Sequence, residues 1–417
     1  MVEISHYVGL EMEERTMSAP FRFARELPAF VVTLAVLSLL FLPSAQAQTL
    51  TVLHTFTGYD GQDPSGGLTM DRAGNLYGTT YYGGAAGYGT VFKLSRHNSG
   101  WIFTTLFNFR GGSDGAYPEG RVTIGPDGSL YGTANMGGNF QCGYGMGCGV
   151  VYNLRPPASL CRAFSCPWTE TVLEAFDGNT DELAFPTGDI VFDQQGNIYG
   201  AAGYIYELSP SNGAWTLRPL TNTYYSYYGL TRGPDGSLYG AISDPGQIFK
   251  FARVGAQWVS SSLYSLNEQR DGYEVTGLTL DQAGNIYGGT SNAGPNGSGT
   301  VFQLSPSQGG WTFTTLYGFS GNGFGGPAGG SLLLDAAGNI YGTAEYDGAY
   351  NVGSVFKLTP NGGNWTFTDL HDFHPLGSDG CYPNNSMVMD ASGNLYGTTL
   401  VCGTGNPGFG VIFEITP

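Results

Sequence analysis

Residues Leu278-Thr-Leu-Asp-Gln-Ala-Gly-Asn-Ile-Tyr-Gly-Gly-Thr290 decide the fold. A β-run, an Asp-x-x-Gly-Asn turn and a second β-run make a hairpin, with Gly284 supplying the positive φ that such turns demand. The tyrosine of this phrase, Tyr287, has counterparts at Tyr77, Tyr131, Tyr199, Tyr239, Tyr341 and Tyr396, each followed by glycine. Successive gaps are 54, 68, 40, 48, 54 and 55 residues. Repeats of roughly 40–50 residues with several strands each are the signature of propeller blades. One repeat cannot bury both of its faces; a ring of repeats can.

The flanking sequence completes a blade. A third strand follows at Gly299–Leu304, with counterparts at Gly89–Leu94, Ser354–Leu358 and Gly410–Ile415. A fourth runs from Trp311 to Phe319 and matches Trp101–Phe109 and Trp365–Phe373. Period-two alternation puts Phe313, Thr315, Tyr317 and Phe319 on one side of it. Repeats two and four build the hairpin turn from Gly125-Pro-Asp-Gly128 and Gly233-Pro-Asp-Gly236, where proline pre-sets φ. The last repeat, Met387–Pro417, stops after its third strand, while Leu50–Phe56 aligns with the fourth strands Phe103–Phe109 and Phe367–Phe373. The expectation is an all-β, seven-bladed β-propeller with four-stranded blades. Pairing of its N-terminal strand with the last blade closes the ring and removes exposed edges.

Composition agrees. Only 12% of the 417 residues are charged, against about 25% in an average protein. Sixty-eight glycines and 14% aromatics suit short strands joined by tight turns and buried on both faces. Residues 1–47 read as a targeting signal: Arg22 and Arg25 precede the apolar run Ala29–Leu42, and Ala45-Gln46-Ala47 is a small-x-small cleavage site. The run of 14 falls short of the roughly 20 residues a membrane span needs. The mature chain, residues 48–417, is expected to begin at Gln48. Glu3, Glu11, Glu13 and Glu14 are the wrong charge for a signal, which points to Met17 as the translation start. Removing three Arg and five Glu from 16 basic and 33 acidic residues leaves 13 against 28, or −15. That surface repels nucleic acid and anionic lipid. Solvation and solubility account for that charge and no cofactor is expected; the alternative is calcium, held by a carboxylate cluster.

The phrases Asn75-Leu-Tyr-Gly-Thr79 and Gly89-Thr-Val-Phe-Lys-Leu94, with their repeats, resemble the GloVer-type tandem repeat of exported bacterial proteins, the choice-of-anchor group. The resemblance covers nearly the whole mature chain, with repeats three and four degenerate at Tyr199-Gly-Ala-Ala202 and Tyr239-Gly-Ala-Ile242. It implies a signal peptide and often a C-terminal anchor segment, but no particular activity. This chain departs from the anchored pattern by ending at Pro417 within the last blade.

Six cysteines in an exported chain point to disulfides. In a propeller the second-to-third and fourth-to-next-first loops share one face, here the first face. On that geometry the expected pairs are Cys142–Cys148, Cys161–Cys166 and Cys381–Cys402. Zinc is disfavoured, since no Cys-x2-Cys spacing occurs.

Catalytic motifs do not survive their context. Gly111-Gly-Ser113-Asp-Gly115 matches a nucleophile elbow but sits in an inter-blade loop with no helix after it. His371, Asp372, His374 and Asp379 could suggest a metal, yet positions 371 and 374 of a strand point to opposite faces. Asp71, Asp193, Asp281, Asp335 and Asp390 lack calcium-loop spacing and are expected to cap their own turns. The recurring phrases Asp60–Pro64, Asp114–Pro118 and Asp379–Pro383 are accounted for by turn chemistry. Of the histidines after the signal, His54, His371 and His374 fall on fourth strands or their ends and His97 on the opposite face.

One feature resists this reduction. Tyr224, Tyr225, Tyr227 and Tyr228 cluster in what reads as an inter-blade loop of the first face, with Tyr81, Tyr82, Tyr346 and Tyr350 in other loops there. Tyrosine offers rigid contact area with a polar tip, suited to sugars or peptides, while the plainer reading is that these rings cover blade edges. The favoured reading is an exported, periplasmic or extracellular binding or scaffold propeller, recognising a glycan, peptide or surface partner. The alternative is a propeller enzyme, a lyase or glycan-cleaving, with its site at the central channel mouth.

Overall fold

The structure is a computed structural model that describes residues 48–97, 100–142, 145–157, 167–178, 184–221, 227–242, 246–320, 325–327, 329–404 and 408–416. Each hairpin phrase closes because its aspartate caps the turn. Asp281 accepts through Oδ1 from the Asn285 backbone N–H at 2.9 Å, and through Oδ2 from the Asn285 side chain at 2.8 Å. Tyr287 donates its hydroxyl to the same Oδ2 at 3.2 Å. The same tyrosine-to-aspartate bond holds every blade, at Tyr77–Asp71, Tyr131–Asp127, Tyr199–Asp193, Tyr239–Asp235, Tyr341–Asp335 and Tyr396–Asp390. Burial would raise the Asp71 carboxyl, but bonds from Asn75, Tyr77 and Ala73 outweigh it and hold it below the usual carboxylate range. The turn aspartates therefore act on their own turns, as expected. Glycine after the tyrosine has a packing reason: a Cβ on Gly78 would lie 2.5 Å from the Phe92 ring, and one on Gly397 would lie 2.5 Å from Phe413.

Seven antiparallel sheets result. In the first blade the order is Leu68–Met70, Leu76–Thr80, Thr90–His97 and Gly100–Asn108 from channel to rim. Six of the sheets are four-stranded; the fifth splits its inner strand into Tyr273–Val275 and Thr279–Leu280. A helical turn, Glu268–Asp271, leads into that blade. Closure is as expected: Thr49–Thr55 pairs with Val411–Thr416, placing Leu50 opposite Ile415 and Val52 opposite Phe413.

Two devices join the blades. Inner-strand threonines donate to the next blade's inner strand: Thr69 to the Val122 carbonyl, Thr123 to Ile190 and Thr231 to Leu278. Apolar clusters fill the gaps between neighbouring blades. One of them gathers Phe56, Leu68, Phe92, Tyr396 and Ile412 where the last blade meets the first.

Three expectations need revision. The fourth strand is not uniformly alternating, because a bulge shifts its register, between Val301 and Phe302 in the fifth blade and between Val355 and Phe356 in the sixth. His374 lies beyond its strand, which ends at Asp372, so alternation does not separate it from His371. Tyr227 and Tyr228 begin the fourth blade's inner strand, Tyr227–Arg232, and are not loop residues. Disulfides Cys142–Cys148 and Cys381–Cys402 form as expected, while Cys161–Cys166 lies outside the described residues. Such bonds suit an oxidising compartment. No helix among the described residues is long and apolar enough to cross a membrane.

Candidate functional site

The first face is knitted from paired loops. In the first, second and last blades the connection into the inner strand forms a bridge with the loop after the second strand of the same blade: Gln62 with Tyr82, Ala116 with Met136 and Cys381 with Val401. The residue after the bridge, and Phe185 in the same place of the third blade, precedes a proline and is held with positive φ: Asp63 at 57°, Tyr117 at 57°, Phe185 at 54° and Tyr382 at 58°. A left-handed backbone costs an L-residue about 1–2 kcal/mol. Two backbone bonds hold Tyr117 there. Its N–H reaches the Tyr88 carbonyl of the preceding blade at 2.9 Å, and its carbonyl accepts from Asn135 at 3.1 Å. Asp63 is clamped likewise, to the Phe409 carbonyl at 3.2 Å and by the Tyr81 N–H at 2.8 Å. Residues in such strained states cluster at functional sites.

Side chains on these clamps converge between the first and second blades. Tyr117 stacks on Tyr81 at 5.2 Å and meets Tyr82 at 5.5 Å and Tyr88 at 5.6 Å. Tyr82 and Tyr88 keep 43% and 37% of their surface exposed, so the cluster faces solvent rather than sealing a blade edge. A groove of about 600 Å³ runs on from Tyr82 over Tyr59, Gln62 and Gly84 to Phe409 of the last blade.

Carboxylates flank the tyrosines. Asp63 Oδ1 and Ser65 Oγ are buried without a hydrogen-bond partner. Burial pushes the Asp63 carboxyl up to about 6. Glu119 and Glu345 are also raised, chiefly by burial and further by the charge of Asp63. Burial, together with the Glu119 charge, lifts the Tyr81 hydroxyl to about 12. None of the ion pairs among the described residues involves Asp63, Glu119 or Glu345. Glu119 has a neutral partner, the Asn135 amide at 3.3 Å.

The channel is chemically different. It holds a cavity of about 530 Å³ lined by Thr69, Arg121, Thr123, Asp189, Thr231 and Arg232. Arg121 meets Asp189 at 2.6 Å and donates its own backbone N–H to that carboxylate at 2.8 Å. The pair is self-satisfied.

Among the sequence candidates, Tyr81 and Tyr82 stand in the cluster. Tyr224 and Tyr225 lie outside the described residues, as do the side chains of Tyr227 and Tyr228. Tyr88, Tyr117 and Asp63 are additions; the signal for the last two was the recurring phrase ending in proline. His371 bonds Asp379 at 2.8 Å and His54 bonds Asp60 at 2.9 Å, each tying a fourth strand to the loop that follows. His374 instead packs on Tyr350. The Gly111–Gly115 loop is held by Asp114, which accepts from the Arg110 and Gly112 backbone, and no helix follows it. Among the described residues, no group of three or more His, Cys, Asp or Glu is arranged to hold a metal ion.

A family model described as the Gloeobacter/Verrucomicrobia repeat matches residues 39–204 and 226–417. No curated protein matches the sequence. Among solved structures the chain is similar to virginiamycin B lyase from Staphylococcus aureus, with 14% identity, a TM-score of 0.57, and 89% of this chain and 99% of that one covered. It is also similar to the extracellular domain of a putative one-component system from B. thetaiotaomicron, with 15% identity, a TM-score of 0.52 and coverage of 88% and 40%. A fungal alcohol oxidase of the AA5 family gives 14% identity, a TM-score of 0.52 and coverage of 89% and 77%. At these identities the likeness is one of fold.

Proposed function

This chain belongs to the Gloeobacter/Verrucomicrobia repeat family, and we propose that it is an exported binding propeller whose first face recognises a glycan. The observation that carries this reading is the solvent-facing cluster of Tyr81, Tyr82, Tyr88 and Tyr117 beside the carboxylates Asp63 and Glu119, neither of which has a basic ion-pair partner among the described residues. Aromatic faces stack on the apolar faces of sugar rings, and carboxylates accept from their hydroxyls. Such recognition needs no nucleophile. Signal cleavage before Gln48 and an oxidising compartment complete the reading.

Tyr59 and Tyr82 line the groove and are 89% and 43% exposed, so both can be removed without opening the core. Affinity electrophoresis of the mature protein through soluble polysaccharides should show retardation that Y59A/Y82A loses about tenfold, with an unchanged circular dichroism spectrum. Equal retardation of wild type and variant would refute the site. Running the assay with and without calcium tests whether the acidic surface takes that ion. Alanine at Tyr224 and Tyr225 tests the fourth-blade tyrosines in the same gel.

A second reading, a lyase or glycan-cleaving enzyme at the channel mouth, draws on Asp63. Burial pushes its carboxyl up to about 6, in the direction a general acid needs. Cleavage products from any polysaccharide in the panel would favour it.

A further inference from the structure

The repeat that builds the tyrosine cluster builds it twice. Tyr82 is the fifth residue after the repeat tyrosine Tyr77, and Tyr346 is the fifth after Tyr341. Tyr117 and Tyr382 each precede a proline and share the left-handed backbone, at 57° and 58°. Their clamps correspond as well: the Tyr382 N–H reaches the Val352 carbonyl at 2.7 Å, as Tyr117 reaches Tyr88. Tyr82 meets Tyr117 with ring centroids 5.5 Å apart, and Tyr346 meets Tyr382 at 5.3 Å. Tyr346 and Tyr350 are 45% and 49% exposed, and Tyr350 packs edge-on against His374.

Between these two pairs lies the junction of the last blade with the first. There the equivalent positions are Val401, fifth after Tyr396, and Asp63, which precedes Pro64. Around the mouth the order is thus aromatic, carboxylate, aromatic over three consecutive blade junctions. The Asp63 charge is felt by Glu119 on one side and Glu345 on the other, so the carboxylate stands between both tyrosine pairs. Glu345 itself is only 9% exposed.

We infer that Tyr346, Tyr350 and Tyr382 form a second subsite, and that one uncharged polysaccharide strand spans both tyrosine pairs with its middle sugar over Asp63. The inference rests on the glycan reading above and adds the ligand class. Two repeat-related aromatic pairs fit a polymer of repeating units better than a single small molecule. Three carboxylates without a basic ion-pair partner, on a mature chain of net charge −15, exclude uronate and sulfated polymers by like-charge repulsion. Hydroxyl donors of a neutral sugar suit a half-buried carboxylate such as Asp63 that has no basic partner. Linking two weak subsites multiplies affinity only if one strand reaches both.

The test uses affinity electrophoresis of the mature protein in gels containing starch, laminarin, mannan, galactomannan, xylan or arabinogalactan, with alginate and pectate as anionic controls. At least one neutral gel should retard the wild type, and both controls should not. In that gel, Y346A/Y350A should weaken binding at least tenfold, as Y59A/Y82A does. A hexasaccharide of the retarding polymer should bind the wild type at least tenfold more tightly than its disaccharide, and Y346A/Y350A should abolish that difference. Both variants remove exposed rings, and circular dichroism checks their fold. If Y346A/Y350A binds the polymer like the wild type while Y59A/Y82A loses it, the second subsite is wrong and the first stands. If neither variant changes retardation, or no neutral polymer retards the wild type, both readings fall. Retardation by alginate or pectate overturns the charge argument.

Discussion

Phe56 tests ring closure against two internal standards. It sits just past the N-terminal strand, only 1% exposed, with its ring 5.4 Å from Phe92 and 5.7 Å from Phe103. Phe109 and Phe373 hold the same place in the first and sixth blades, both fully buried, at 5.2 Å from Tyr152 and 5.3 Å from Phe413. Replacing a buried phenylalanine by alanine costs about 3–5 kcal/mol, from lost transfer energy plus the cavity left behind. Against a total stability of about 5–15 kcal/mol that is a large fraction. With a urea slope of about 3 kcal/mol/M the midpoint should fall by about 1–2 M. F56A, F109A and F373A should fall together, followed by tryptophan fluorescence and circular dichroism. A loose terminus would give a different result. If F56A costs under about 1 kcal/mol while F373A costs its full amount, the N-terminal strand does not close the ring.

Stability should depend on pH through Asp63. Its carboxyl is raised from 3.8 to about 6, so the folded state holds the proton more tightly than the unfolded chain. Stability should therefore fall as pH rises from about 4 through 6. D63N should flatten that part of the profile in urea titrations; an unchanged slope would mean Asp63 is already ionised. Glu170, raised to about 7 mainly by burial, extends the decline toward neutrality. Non-reducing peptide mapping should recover Cys142 with Cys148, Cys161 with Cys166 and Cys381 with Cys402, and a Cys142–Cys166 link would contradict the loop assignment. N-terminal sequencing of the exported protein should begin at Gln48; an uncleaved, membrane-bound product would refute the signal reading.

The ring was legible because its repeat is built on strong local chemistry. Asp281, Gly284, Asn285 and Tyr287 each have a partner within the same hairpin, so the phrase shows itself without tertiary information. Closure was legible because Leu50–Phe56 aligns with complete fourth strands. The mouth was not, for two physical reasons. Tyrosine does not advertise a left-handed backbone, so Tyr117 and Tyr382 looked like ordinary turn residues before proline. Their clamps come from carbonyls of the preceding blade, Tyr88 and Val352, which no local pattern connects to them. Tyr227 and Tyr228 misled in the other direction. An aromatic run reads as a loop cluster when its neighbours are polar, yet Gly229 and Leu230 continue it as an inner strand. The fourth-strand bulge escaped because nothing in alternating Trp-x-Phe-x-Thr marks an inserted residue.

Binding without chemistry is the central claim. The direct measurement is to incubate the mature wild-type protein with each neutral polysaccharide. The same sample is then followed by affinity electrophoresis and by assay of new reducing ends and unsaturated products. The account predicts retardation by at least one polymer with no new chain ends at any pH from 4 to 8. Cleavage of that polymer, or no retardation by any of them, would contradict it.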